Sequence, residues 1–280
     1  MDKAFKLFFC MLLCVSIPVA LSGCSDSGSS STGNNLEEGP TNDAGYSSAR
    51  QTVEGQLDNL LLSMNRGFNI ETSPGSLSKI LADSFDFSYN SSSGWWSSYY
   101  TTDYTDYYYY YADSVRFSSD GTIQQEQDSN TDKLEYKFHT GLSSAEGSEY
   151  TYEFDFNCDF VYTRPVGTDT VTLNGTGGYD YQITYNGEDY SFTLDDTYSN
   201  IKVRIQEDEG DEYYPHAGTI TETLSGYVNT SSGYESATFT IRITFYEDYY
   251  EAYVSDGTYY WEWEEDYPSS ISGYWAPPHP

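Results

Sequence analysis

From about residue 85 onward, apolar and polar residues alternate in run after run. Leu134, Tyr136 and Phe138 alternate with Glu135 and Lys137, and Tyr150, Tyr152, Phe154 and Phe156 with Thr151, Glu153 and Asp155. Ile201, Val203 and Ile205 alternate with Lys202 and Arg204, and Phe239, Ile241, Ile243 and Phe245 with Thr240, Arg242 and Thr244. A period of two sends successive side chains to opposite faces, so these runs predict antiparallel strands with one buried and one wet face. Asn186-Gly187, Asp256-Gly257 and Asp120-Gly121 follow such runs and supply the positive φ angles that two-residue hairpins need. Roughly ten to twelve strands joined mostly by hairpins are expected. The fold class is therefore all-β: a large antiparallel up-and-down meander over 85–275. So wide a sheet is expected as a curled sheet or open half-barrel, because wide flat sheets are disfavoured. No alternation of strand and helix patterns is present, which argues against a parallel sheet. Gly175, Gly177 and Gly178 lie between strand patterns, where a turn or bulge is expected. One domain is expected, with 140–148 as the place where the sheet would divide if it were two.

Ahead of the strands the period is helical. Val53, Leu57, Leu60, Leu61 and Met64 make one apolar stripe; Ser47 or Ser48 can cap its start and Gly67 ends it. A second helix is expected over 74–83, with Ser73 at the cap, Pro74 in the first turn, and Leu77, Ile80 and Leu81 on one face. Together these form a helical segment over 47–84, read as packing on the sheet. The low-complexity run from Trp95 to Tyr111 is strand-forming, but its repeated tyrosines can pair in several registers.

The first residues follow a different logic. Lys3 and Lys6 precede an apolar run from Leu7 to Leu21, broken only by Ser16 and Pro18. That run has the length of a signal-peptide core and is short for a membrane span, which needs roughly 20 apolar residues. It ends in Leu21-Ser22-Gly23-Cys24 and is followed by a Ser/Gly tract. These four residues resemble the lipobox of bacterial lipoproteins: an apolar residue, two small residues, then the cysteine to be modified. The resemblance implies removal of residues 1–23 as a signal peptide and lipidation of Cys24, with palmitate-type acyl chains holding the protein at a membrane. Ser25 after the cysteine implies, by resemblance to the sorting rule of enteric bacteria, the outer membrane of the cell envelope, on its periplasmic or its surface face. Cys10 and Cys14 lie inside the apolar core and are read as small hydrophobes. Residues 24–46 show no period and are read as a lipidated flexible tether with a reach of roughly 25 Å.

Charge changes the picture of partners. The formal net charge of −32 repels nucleic acid and anionic headgroups, so the lipid anchor is the expected membrane contact and nucleic acid is not a partner. An aromatic content of 18%, with the regular strand pattern, argues against the disorder that acidic chains can show. Cys158 has only Cys24 as a counterpart after processing, so no disulfide is expected and a buried thiol is the favoured reading.

Chemistry is sparse. His139, His216 and His279 have no metal-binding spacing, and no nucleophile elbow, P-loop or dinucleotide motif is present. With 44 Asp and Glu, some close acid pair arises by chance, so no pair is informative for glycosidase-type chemistry. The run Glu207-Asp208-Glu209-Gly210-Asp211-Glu212 and the group Glu262, Glu264, Glu265 and Asp266 offer oxygens of the kind Ca²⁺ takes. Neither fits a calcium loop; solvated acidic segments are the favoured reading, and no cofactor, metal site or catalytic residue is expected. Tyr259, Trp261 and Trp263 share one strand face. They are core if that face is inner and a sugar-stacking platform if it is outer, with core favoured. The expected function is that of a non-enzymatic envelope lipoprotein whose β domain binds or scaffolds a protein, lipid or glycan partner. Two alternatives stand beside it. One is a carrier of lipid or another apolar ligand, since a helix before a curled sheet looks like the half-barrel carriers of the periplasm. The other is a glycan-binding or glycan-cleaving protein.

Overall fold

The computed structural model describes residues 36–41, 46, 49–50, 53–54, 57, 87–103, 107–145, 151–185, 188–204, 214–230, 233–257 and 259–267. Cys24 and the leader, the 74–83 helix, the acidic run 207–212, Ile205 and His279 lie outside them.

The described chain is mostly β. Its strands are β1 (Glu37–Glu38), β2 (Ser88–Asn90), β3 (Trp95–Asp103), β4 (Tyr107–Ser119), β5 (Thr122–Gln124), β6 (Lys133–Ser144) and β7 (Thr151–Thr163), then β8 (Thr170–Tyr185), β9 (Glu188–Arg204), β10 (Pro215–Thr230), β11 (Gly233–Phe245), β12 (Tyr249–Ser255) and β13 (Tyr259–Asp266). All thirteen belong to one sheet, in the order β1-β13-β12-β11-β10-β9-β8-β7-β6-β4-β3-β2, with β5 taking the end of β4 that β3 leaves. From β2 to β13 every pairing is antiparallel and nearly every partner is the neighbour in the chain. The sheet is mixed because β1 runs parallel to β13, Glu37 facing Tyr259 and Glu38 facing Tyr260. It is not closed.

Two expectations change, and one alternative lapses. The segment read as a tether is not irregular throughout, since Glu37 and Glu38 pair and the Gly39 amide donates to the Tyr260 carbonyl at 2.8 Å. The sheet is not divided at the described residues 140–145, because β6 and β7 stay paired from Lys133↔Thr163 to Ser143↔Glu153. Gly175, Gly177 and Gly178 do not separate strands but lie inside β8, where the register slips between Leu173 and Gly175. A bulge was expected there; the continuous strand was not, because glycines carry no period.

The alternation seen in the sequence becomes the two faces of the sheet. Val115, Phe117, Leu134, Phe138, Cys158, Phe160, Tyr162, Leu173, Ile201, Val203, Ile220, Ile241, Ile243 and Val254 are buried on one face and form one apolar cluster. Each full burial of such a side chain contributes about 1.5–3 kcal/mol, which makes this inner face the main stabilising element. Of the helix expected over 47–67, Ala49, Arg50, Val53, Glu54 and Leu57 are described. Ala49 and Val53, four residues apart, are buried in the same cluster, and Arg50 lies 5.2 Å from the Trp263 ring centre. Farther along β7–β11, Tyr179, Leu194 and Leu224 form a second, smaller cluster with Phe154, Phe156, Tyr181, Phe192 and Phe239.

Candidate functional site

One rung of directly opposed residues crosses the inner face from β4 to β13: Asp113, Phe138, Cys158, Gly177, Asp196, Glu222, Ile241, Val254 and Trp261. Five of its residues, Phe138, Cys158, Ile241, Val254 and Trp261, belong to the main apolar cluster, and it carries two acids side by side. Asp196 is 8% exposed and Glu222 1%. Burial pushes the Asp196 carboxyl up to about 7, against a weak hydrogen bond accepted from the Tyr198 hydroxyl at 3.4 Å. One Asp196 oxygen and the Tyr179 hydroxyl have no hydrogen-bond partner. Desolvation also pushes Asp113 up to about 6, although it accepts from Tyr111 at 3.0 Å. Asp196 and Glu222 are both buried, so the pair is not placed as glycosidase acids are, which must face the scissile bond. Cys158 is buried in the same rung as a free thiol, and burial pushes it up to about 12, far from a reactive thiolate.

The opposite, outer face is open to solvent, and at β2–β3–β4–β6 it holds a hollow of about 400 Å³ lined by Ser88, Asn90, Ser93, Trp95, Ser97, Ser114 and Lys137. Alternation places these residues together. Ser88 opposes Ser97, Asn90 opposes Trp95, Ser97 opposes Ser114, and Ser114 opposes Lys137. The small serines leave room, and the Ser97 and Ser114 hydroxyls meet at 2.9 Å. The Trp95 ring is held by two cations, with the Arg116 guanidinium 4.7 Å and the Lys137 ammonium 5.7 Å from its centre. Each cation has its own acid. Arg116 donates twice to Glu135 at 2.8 Å, which holds that carboxyl below the ordinary range, and Lys137 donates to Asp159 at 2.6 Å.

Beyond Ser97 the same face turns aromatic. Tyr99 is 69% exposed and is hydrogen-bonded to Tyr108; the Tyr108 ring lies 6.3 Å from Tyr110, and Tyr110 lies 5.0 Å from His139. The Tyr110 hydroxyl donates to Asp155, and His139 Nε2 lies 2.9 Å from the same carboxylate. Gly141 opens the space beneath, since a Cβ there would meet the Tyr110 ring.

The residues singled out in the sequence fall elsewhere. Trp261 is 2% exposed and lies against Gly39, so its ring is core. Trp263 is half-buried, edge-on to Tyr46 at 5.9 Å; Tyr259 alone of the three is exposed. They do not form a common exposed platform. Glu262 and Glu264 are exposed, but Glu265 is bonded to Arg50 and Tyr250 across the inner side. No group of three or more acids, histidines or cysteines suited to a metal ion is present among the described residues. No helix among them is long and apolar enough to cross a membrane.

Sequence reasoning missed both the hollow and the buried acids. A signal for Glu222 was available in its flanks, because Ile220 and Leu224 put it on the buried side of the alternation. The hollow had none, since it depends on which serines become opposed. The chain was compared with protein-family models, with curated proteins and with solved structures, and no match was found in any of the three.

Proposed function

We propose that this chain is a lipid-anchored lipoprotein of the bacterial cell envelope, held at the outer membrane by an acylated Cys24, whose β domain is a non-enzymatic binding module. Its binding surface is the outer face of β2–β3–β4–β6. The observation that carries this reading is the hollow walled by Trp95. An indole fixed by two cations, each already neutralised, is a surface ordered before any ligand arrives, which lowers the ordering cost of binding. The anchor rests on Leu21-Ser22-Gly23-Cys24 and the apolar run before it. The sheet is read as an open half-barrel curled over the helical segment that contains Val53.

Catalysis is disfavoured because the paired acids of the inner rung are buried. Carriage of an apolar ligand is disfavoured because the inner face is occupied by rings, among them Tyr111, Phe138, Phe160, Tyr162 and Tyr198. The test is the intact mass of protein purified from membranes of an expressing bacterium. A chain beginning at Cys24 and carrying a diacylglyceryl and an N-acyl group is expected, and Cys24→Ala should keep the leader. An unmodified residue 24 in the wild type would overturn the anchor.

A further inference from the structure

We infer that the ligand of the outer face is an uncharged polysaccharide. The inference rests on the reading of that face as the binding surface and names what it holds.

The lining chemistry selects a polyol. Four serine hydroxyls and one amide line the hollow, groups that both donate and accept and match a surface of closely spaced hydroxyls. The indole wall supplies the apolar contact that the C–H face of a sugar ring requires. The volume of about 400 Å³ lies in the range of small-molecule sites, large enough for a sugar unit rather than a protein segment.

Charge selects against the other classes. Arg116 and Lys137 are committed to Glu135 and Asp159, so the hollow presents no free positive charge for an anion. The rest of the molecule, at −32, repels a polyanion over its whole length. A neutral polymer meets neither obstacle.

Shape selects a chain over a single sugar. On the same face beyond Ser97 lie Tyr99, Tyr108, Tyr110 and His139, a row of rings in which the three tyrosines carry hydroxyls at their tips. A Tyr99 ring left 69% in water has no part in the core, and a polymer leaving the hollow would lie across it.

The test is native gel electrophoresis of the full-length protein in detergent, with soluble polysaccharides cast in the gel. Dextran, a mannan, a xylan and a mixed-linkage β-glucan serve as neutral polymers, and polygalacturonate as the anionic one. The protein's own charge drives it strongly, so retardation reads binding. At least one neutral polymer is expected to slow it, and Trp95→Ala and Tyr99→Ala should each weaken retardation by about tenfold. Tyr259→Ala, in β13 at the other end of the strand order, should change nothing. Should Trp95→Ala fail to fold, the exposed Tyr99 still decides. Retardation that survives both substitutions sinks the assignment of this face. Free migration of the wild type in every neutral gel, or retardation by polygalacturonate alone, sinks the ligand class while leaving the mass of residue 24 untouched as a separate measurement.

Discussion

Asp196 stands directly opposite Glu222 in the inner rung, where burial of Asp196 favours its protonated carboxyl. The Asp196 carboxyl near 7 and the Asp113 carboxyl near 6 both lie above the values that unfolded chains show. The folded state therefore keeps protons that the unfolded state releases. The stability they contribute is complete below about pH 4 and is lost as the pH rises through 6 to 7, at a limiting slope on the order of 1 kcal/mol per pH unit per group. The domain should melt at a higher temperature at pH 5 than at pH 8. Asp196→Asn, which keeps the shape and removes the titration, should raise the melting temperature at pH 8 and flatten part of that slope; an unchanged slope would place the dependence elsewhere. These acids were hidden in the sequence for a physical reason. An Asp or Glu between threonines, as in Thr221-Glu222-Thr223, reads as a wet position unless the two residues on either side are weighed. Trp95 was hidden differently, because its partners Arg116 and Lys137 come from two other strands.

Among the elements, the hairpins were the most legible. Asp120 and Gly121 adopt φ angles of 48° and 74°, the pair of positive values a two-residue turn demands, and Ser119 opposes Thr122 as their spacing requires. Tyr185 likewise opposes Glu188 across Asn186-Gly187. The tyrosine run was the least legible, since one tyrosine pairs as well as the next. The register of β4 follows instead from Val115 and Phe117, which face Tyr136 and Leu134 on β6. Two glycines separate backbone strain from crowding. Gly121 has φ +74° with open space around it, so Gly121→Ala should cost about 1 kcal/mol. Gly218 has φ +109° where the register of β9–β10 slips, and a Cβ there would lie 2.4 Å from the Asn200 carbonyl oxygen. Gly218→Ala should cost about 2 kcal/mol or more, read as a shift in the denaturation midpoint, with the larger loss at Gly218.

At the scale of the whole molecule, the chain carries a net charge of −32, and the wet face and turns of the sheet present exposed acids such as Glu153, Asp159, Asp180, Asp195, Glu251 and Glu264. Self-repulsion of that kind is screened by salt, so the melting temperature at pH 8 should rise between 20 mM and 500 mM sodium chloride, conditions chosen to span roughly a fivefold change in screening length. A flat response would show that the acids are individually compensated. The all-β meander was legible because period and turn chemistry agree along the chain; β1 was not, because two glutamates carry no period. Its pairing matters for how the ladder is built. Almost every strand can zip onto the edge its predecessor has just left, with only a short loop to close at each step. Glu37 and Glu38 are the exception, made before every other strand of the sheet yet seated on Tyr259 and Tyr260 of β13, the strand made after all the others. A chain stopped short of Tyr259 would thus carry a laddered body with Glu37 and Glu38 unmoored, and only synthesis of the β12–β13 hairpin gives them a strand to latch onto.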